Sequence, residues 1–121
     1  MLALLPTQTT YIPTEIINNP VIIQEEVKDP EQTYPGEGCN CYFFVRNRVE
    51  NLPRMVAILP NSDPVIGGVA IEFFKGIKHV SVITKVEPGG VWVAESNYKH
   101  CETGERYIPH TKYSLVGFWS S

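Results

Sequence analysis

Long apolar runs are missing from this 121-residue chain, and no stretch approaches the ~20 residues that a bilayer-spanning helix requires. The opening Met1-Leu2-Ala3-Leu4-Leu5 is apolar, but it lacks a basic segment before it and Pro6 cuts it short, so a secretory signal is not expected. A basic excess is missing too. Net charge is -3, and no stripe of Lys and Arg offers a track for a phosphate backbone, which disfavours a nucleic-acid partner. Cysteine is scarce: Cys39, Cys41 and Cys101 are too few for a disulfide scaffold. A Cys39–Cys41 bridge would close a very tight ring, a Cys39–Cys101 bridge is open, and the odd count leaves one thiol to work. Neither an internal repeat nor a low-complexity segment is present.

What the chain has is enough apolar side chain, 43% of residues, for one modest core but not two. Ten prolines and nine glycines favour short strands and turns over a helical bundle. The charge is unevenly placed. Residues 1–35 hold Glu15, Glu25, Glu26, Asp29 and Glu31 against Lys28, whereas the remainder carries nine Lys/Arg and eight Asp/Glu and is nearly neutral. Pro6, Pro13, Pro20, Pro30 and Pro35 recur in that first part without helical periodicity. Residues 1–35 therefore read as an extended, acidic, Pro-rich arm, either a partly ordered tail or a docking arm for a partner or carrier protein, and residues 36–121 read as the folded domain.

Pro35-Gly36-Glu37-Gly38 is a turn-forming boundary. From Cys41 to about Asn51, Phe44, Val45, Arg48 and Leu52 fall at helical spacing, with Pro53 as a stop. Asn40 is suited to cap that helix, which puts Cys41 in its first turn, where the helix dipole favours a thiolate. The pattern then turns to strands. Val69 to Phe74, His79 to Val86, Val91 to Glu95, Arg106 to Ile108 and Leu115 to Trp119 are strand-like, and Glu87-Pro88-Gly89-Gly90 is a clear turn. One helix followed by a strand meander predicts an α+β fold with an N-terminal catalytic helix packed on an antiparallel sheet.

The chemistry sits in three of these stretches. A cysteine attacks as thiolate and needs a base, and the base needs an acceptor that fixes its tautomer. Cys41 supplies the thiol and His79, at the start of a strand, supplies the base. If the Glu87–Gly90 turn joins an antiparallel hairpin, His79 meets Glu95 and Asn97 at the far end of the ladder. Those two residues share a strand face by alternation, so both are candidates to orient the imidazole.

These residues carry a resemblance. Asn40-Cys41, Tyr42-Phe43-Phe44 and Val45-Arg46-Asn47-Arg48 resemble the cysteine motif of the CHAP family of cysteine amidohydrolases and peptidases. Gly67-Gly68-Val69-Ala70-Ile71-Glu72-Phe73, His79-Val80-Ser81-Val82-Ile83, Glu95-Ser96-Asn97-Tyr98, Arg106-Tyr107-Ile108 and Gly117-Phe118-Trp119 follow in the family's order, from about Gly36 to Trp119. Lys78 stands where the family often has glycine. The resemblance implies a papain-like, NlpC/P60-like fold. It also implies a peptidoglycan hydrolase that cuts either the N-acetylmuramoyl–L-alanine amide or a peptide bond of the wall peptide, through a thioester and without metal or cofactor. Cys41 would be the nucleophile, His79 the general base and acid, Glu95 or Asn97 its orienting group, and Asn40 an oxyanion contributor beside the Cys41 N–H. A phage lysin or virion-associated hydrolase, made in the cytoplasm and acting at the bacterial wall, fits the family's habit.

Two other readings compete. Cys39, Cys41, His100 and Cys101 are four plausible ligands for a small zinc site, although their spacing is unusual for one. His100, Cys101 and His110 otherwise read as loop residues beside the cleft. The domain also suits a non-catalytic binding or assembly module that docks through its arm.

Overall fold

The computed structural model describes residues 37–121, so the arm over 1–35 and its boundary at Gly36 lie outside the described residues. One helix, α1 (Cys41–Arg46), precedes a 3-10 turn (Met55–Ala57) and five strands. These are β1 (Val69–Phe74), β2 (Ile77–Glu87), β3 (Gly90–Ser96), β4 (Thr103–Pro109) and β5 (Leu115–Trp119). They form one antiparallel sheet in the order β4-β3-β2-β1-β5.

This corrects the α+β, papain-like expectation. The domain is dominated by its sheet, with a single six-residue helix and one 3-10 turn among the described residues. The helix expected to run to about Asn51 stops at Arg46 for a local reason. The Arg48 guanidinium donates to the Phe44 carbonyl at 2.8 Å, taking the acceptor that a continuing helix needs, and the Arg48 N–H turns to Val45 instead. The predicted strands fall where the alternation and turns put them. Lys75 and Gly76, both at positive φ, make the two-residue link from β1 to β2 that matches the twist of a hairpin.

Both faces of the sheet are buried, by different partners. Val69, Ile71, Val80, Val82, Ala94 and Trp119 face α1 and the segment after it, where Phe44, Val45 and Ile58 are buried. Each large aliphatic or aromatic side chain fully buried in this way contributes about 1.5–3 kcal/mol. Ala70, Ile83, Val91, Val93 and Ile108 form a second cluster on the opposite face, packed with Leu115 and Phe118. Since β4 and β5 are the two edges of the sheet, their connection must pass from one edge to the other. Lys112 and Ser114 of that connection both hydrogen-bond Glu72 of β1, so it crosses the second face. Gly90 is required where β3 meets β4, because a Cβ there would strike the Ile108 carbonyl. No helix among the described residues is long and apolar enough to cross a membrane.

Candidate active site

Three elements converge at one end of the sheet. The Asn40 side chain accepts from the Phe43 N–H at 2.9 Å and caps α1, which makes Cys41 the first helical residue. The segment before it is tied to the end of β3 in two ways. Ser96 donates its hydroxyl to the Glu37 carbonyl, and a disulfide joins Cys39 to Cys101. Glu37 is itself fixed by a fully buried ion pair with Arg48 at 2.8 Å. Cys41 is left as a free, part-exposed thiol.

His79 lies at the start of β2, paired with Glu72 of β1. Extending the register from Val82↔Ala94 sets Ser81 opposite Glu95, so His79 and Glu95 are diagonal neighbours on one face. Their contact is direct, His79 Nε2 to Glu95 Oε1 at 2.9 Å, with both side chains buried. Cys41 interacts with the His79 ring, and with Nε2 committed to Glu95 the nitrogen left free for the thiol is Nδ1.

Behind this line stands a charge network. Arg106 of β4 holds Glu95 through two contacts of 2.7 Å, Nε to Oε2 and Nη2 to Oε1. The same guanidinium reaches Glu72 at 2.6 Å, and Glu72 also accepts from Lys112 at 3.1 Å and Ser114 at 2.9 Å. Arg106 stacks on the Tyr98 ring, 3.6 Å from its centre, and the Tyr98 and Phe74 rings flank His79.

These contacts decide the protonation states. Burial alone raises the Glu95 and Glu72 pKa values, but hydrogen bonds from Arg106, and after it from His79 or Ser114, overcome it and hold both carboxyls below their usual range. Burial also works against a charged His79. Its hydrogen bonds to Cys41 and Glu95 outweigh that and raise it to about 9. The Cys41 thiol is raised by burial and lowered by His79 and the Val80 N–H, ending below the usual cysteine value. The Cys41 and His79 shifts describe one interaction from its two ends, which favours the charged form of each group in the presence of the other. His79 lowers the thiol most, followed by the Val80 N–H and the Cys41 N–H of the first helical turn.

No family model, curated protein or solved structure matches the chain.

The residues singled out in the sequence divide as follows. Cys41, His79 and Glu95 come together. Asn97 does not join them: it lies beyond β3 at φ 66°, and its Oδ1 accepts from the Cys101 N–H at 2.7 Å. The strand alternation invoked for it ends at Ser96. Asn97 still lines the cleft, as the wall of a turn. Asn40 spends its Oδ1 on the helix cap. The four-ligand zinc set is not assembled, because two of its sulfurs form the Cys39–Cys101 disulfide. Glu72, His79 and Glu95 do bring ligand atoms within 4.8 Å of one another. However, Arg106, Lys112 and Ser114 already supply the counter-charge and hydrogen bonds of the two carboxylates, so this cluster does not fit a cation.

Arg106, Glu72, Glu37 and Ser96 were not recognised from the sequence as parts of the site. A signal for two of them existed. Glu72 is the lone charge in the apolar run VAIEFF, and Arg106 precedes the buried Ile108 on the same face of β4. A charge at a core-facing strand position needs an opposite charge, and those two are mutual partners.

The cleft itself has a volume of about 490 Å³, with Cys41, His79, Tyr98 and Tyr113 among its lining residues. It is within the usual range for ligand sites and large enough for several residues of a peptide.

Proposed function

We propose that this chain is a cysteine amidohydrolase or peptidase that acts on the peptide of bacterial peptidoglycan. The observation that carries the reading is that Cys41, His79 and Glu95 come together, with Glu95 Oε1 2.9 Å from His79 Nε2 and Cys41 interacting with the same ring. Arg106 keeps Glu95 ionised, Glu95 holds the imidazolium, and the imidazolium holds the thiolate. That is the order of dependence a nucleophilic cysteine needs.

The thiolate of Cys41 adds to the carbonyl carbon of the scissile amide and forms a tetrahedral oxyanion. The Cys41 backbone N–H, in the first turn of α1, is the donor proposed to stabilise it. Collapse breaks the C–N bond, and His79 gives its proton to the departing amine. Neutral His79 then takes a proton from water, whose oxygen attacks the thioester. Release of the carboxylic acid restores the thiolate–imidazolium pair.

The substrate class comes from the resemblance of the quoted motifs to the CHAP family, as does delivery by a phage lysis system or virion. The test is digestion of purified peptidoglycan with wild type and Cys41→Ala, followed by mass analysis of the soluble fragments. New ends from wild type alone support the reading, and their identity separates amidase from endopeptidase. Intact wall material after prolonged wild-type incubation, with an ordinary thiol at Cys41, would favour a non-catalytic binding module.

A further inference from the structure

Two basic residues, Lys78 and Lys112, and no acidic one are among the residues lining the cleft beside Cys41. The two lysines differ in their situation. Lys112 is already paired with the buried Glu72 at 3.1 Å and lies 4.7 Å from the centre of the Phe74 ring. Lys78 is half-buried, and its Nζ donates to the Met55 carbonyl at 2.7 Å. It has no carboxylate partner among the described residues. A neutral carbonyl fixes the ammonium in place without cancelling its charge, and a partly desolvated cation held this way attracts an anion.

The balance of the whole site points the same way. Arg106 and Lys112 offset Glu72 and Glu95, and Cys41 with His79 has no net charge as a pair, whichever of the two holds the proton. Lys78 is the unbalanced charge. Consecutive strand residues project to opposite faces, yet Lys78 and His79 both open on the cleft because they stand at the start of β2. An anion on Lys78 would share the cleft with Cys41, where the exposed Ile77 and Tyr113 can contact apolar parts of the ligand.

We infer that Lys78 forms an anion subsite, with Lys112 supporting it, and that the substrate carries a free carboxylate next to the scissile amide. This rests on the hydrolase reading and sharpens it. In a peptide such a group is the α-carboxylate of a residue beside the scissile bond, and the subsite selects it over the α-carboxamide. The residue that departs from the family motif just before the histidine is thus the one that reads the substrate.

The experiment compares two synthetic stem peptides that differ only in a carboxylate or carboxamide at that α position. Turnover by wild type and by Lys78→Met is measured on both, and binding of both is measured by calorimetry with Cys41→Ala and with the Cys41→Ala/Lys78→Met double variant. Wild type is expected to prefer the carboxylate by about tenfold in kcat/KM, the scale of one charge-assisted hydrogen bond. Lys78→Met should remove that preference while still cutting the carboxamide, and Lys78→Glu should invert it. Cys41→Ala should bind the carboxylate peptide about tenfold more tightly, a difference lost in the double variant. Equal handling of the two peptides by wild type, or an equal loss on both in Lys78→Met, would overturn the subsite. Selective binding without turnover would instead sink the hydrolase reading and leave the subsite standing, and no binding of either peptide would overturn the subsite as well.

Discussion

Glu95→Gln tests the central line of the site with almost no change in shape. Glu95 accepts three hydrogen bonds, one from His79 at 2.9 Å and two from Arg106 at 2.7 Å. A glutamine amide must put its NH2 against a donor in either orientation, so at least one bond is lost and the remaining ones lose their ionic character. A charge-assisted hydrogen bond is worth ~1.5–3 kcal/mol. Arg106 keeps Glu72 as counter-charge, so the loss should stay below the ~3–5 kcal/mol of a fully orphaned buried ion. We expect a destabilisation of about 2–3 kcal/mol and, for a domain of this size, a fall in Tm of about 10–20 °C.

The kinetic signature is more specific than the stability loss. The thiolate–imidazolium pair persists only while His79 stays protonated, and in wild type it is lost as pH rises through about 9. Removing the Glu95 charge removes one of the two interactions that raise His79, while Cys41 continues to supply the other. The alkaline limb of kcat/KM against pH should therefore move to lower pH, with the maximum reduced about 10²–10³-fold. The assay is release of soluble wall fragments across a pH series below the variant's melting temperature. A folded Glu95→Gln protein with wild-type kcat/KM and an unmoved alkaline limb would refute the role given to Glu95. The stability profile has a matching sign. The His79 contribution is fully present below the ordinary histidine range and vanishes as pH rises through about 9. The Glu95 and Glu72 contributions are present above the ordinary carboxylate range and vanish as pH falls through their lowered values.

Three further outcomes are expected. Iodoacetamide should label Cys41 faster than free cysteine at neutral pH, and His79→Ala should reduce that rate to the free-cysteine level, as read by intact mass against time. The Cys39–Cys101 disulfide spans a sequence separation of 62, so reduction or Cys101→Ser should cost about 4 kcal/mol by loop entropy. Melting curves with and without reductant check this, and an unchanged Tm would count against a formed bond. The Ser81 hydroxyl is buried without a hydrogen-bond partner among the described residues, so Ser81→Ala should raise stability by about 1 kcal/mol in urea unfolding. A destabilised Ser81→Ala would show that the hydroxyl has a partner after all.

The part of the site written in short-range signals was legible. Asn40 before Cys41 gave the cap, and the Glu87–Gly90 turn gave the hairpin that carries His79 to Glu95. Asn97 was misjudged because alternation holds only inside a strand, and the chain turns left-handed one residue past Ser96. The bulge between Ile83 and Lys85 also shifts the β2–β3 register by one from the count outward from the turn. Helix length was misread because periodicity does not show that a side chain, that of Arg48, will capture a backbone carbonyl. The five strands were visible as alternating runs. Their dominance over the helix, and hence the departure from an α+β papain-like fold, depends on what residues 47–68 do once the helix has ended.

The single residue between Cys39 and Cys41 has a consequence for how the protein matures. During oxidation both thiols compete for Cys101, and only one outcome leaves Cys41 free. A chain oxidised as Cys41–Cys101 has the same mass and the same count of one titratable thiol, yet it carries that thiol at the wrong position. Thiol counting therefore says nothing about the fraction of competent molecules in a preparation. The labelling rate does, because only the thiol beside His79 has its pKa lowered by that ring.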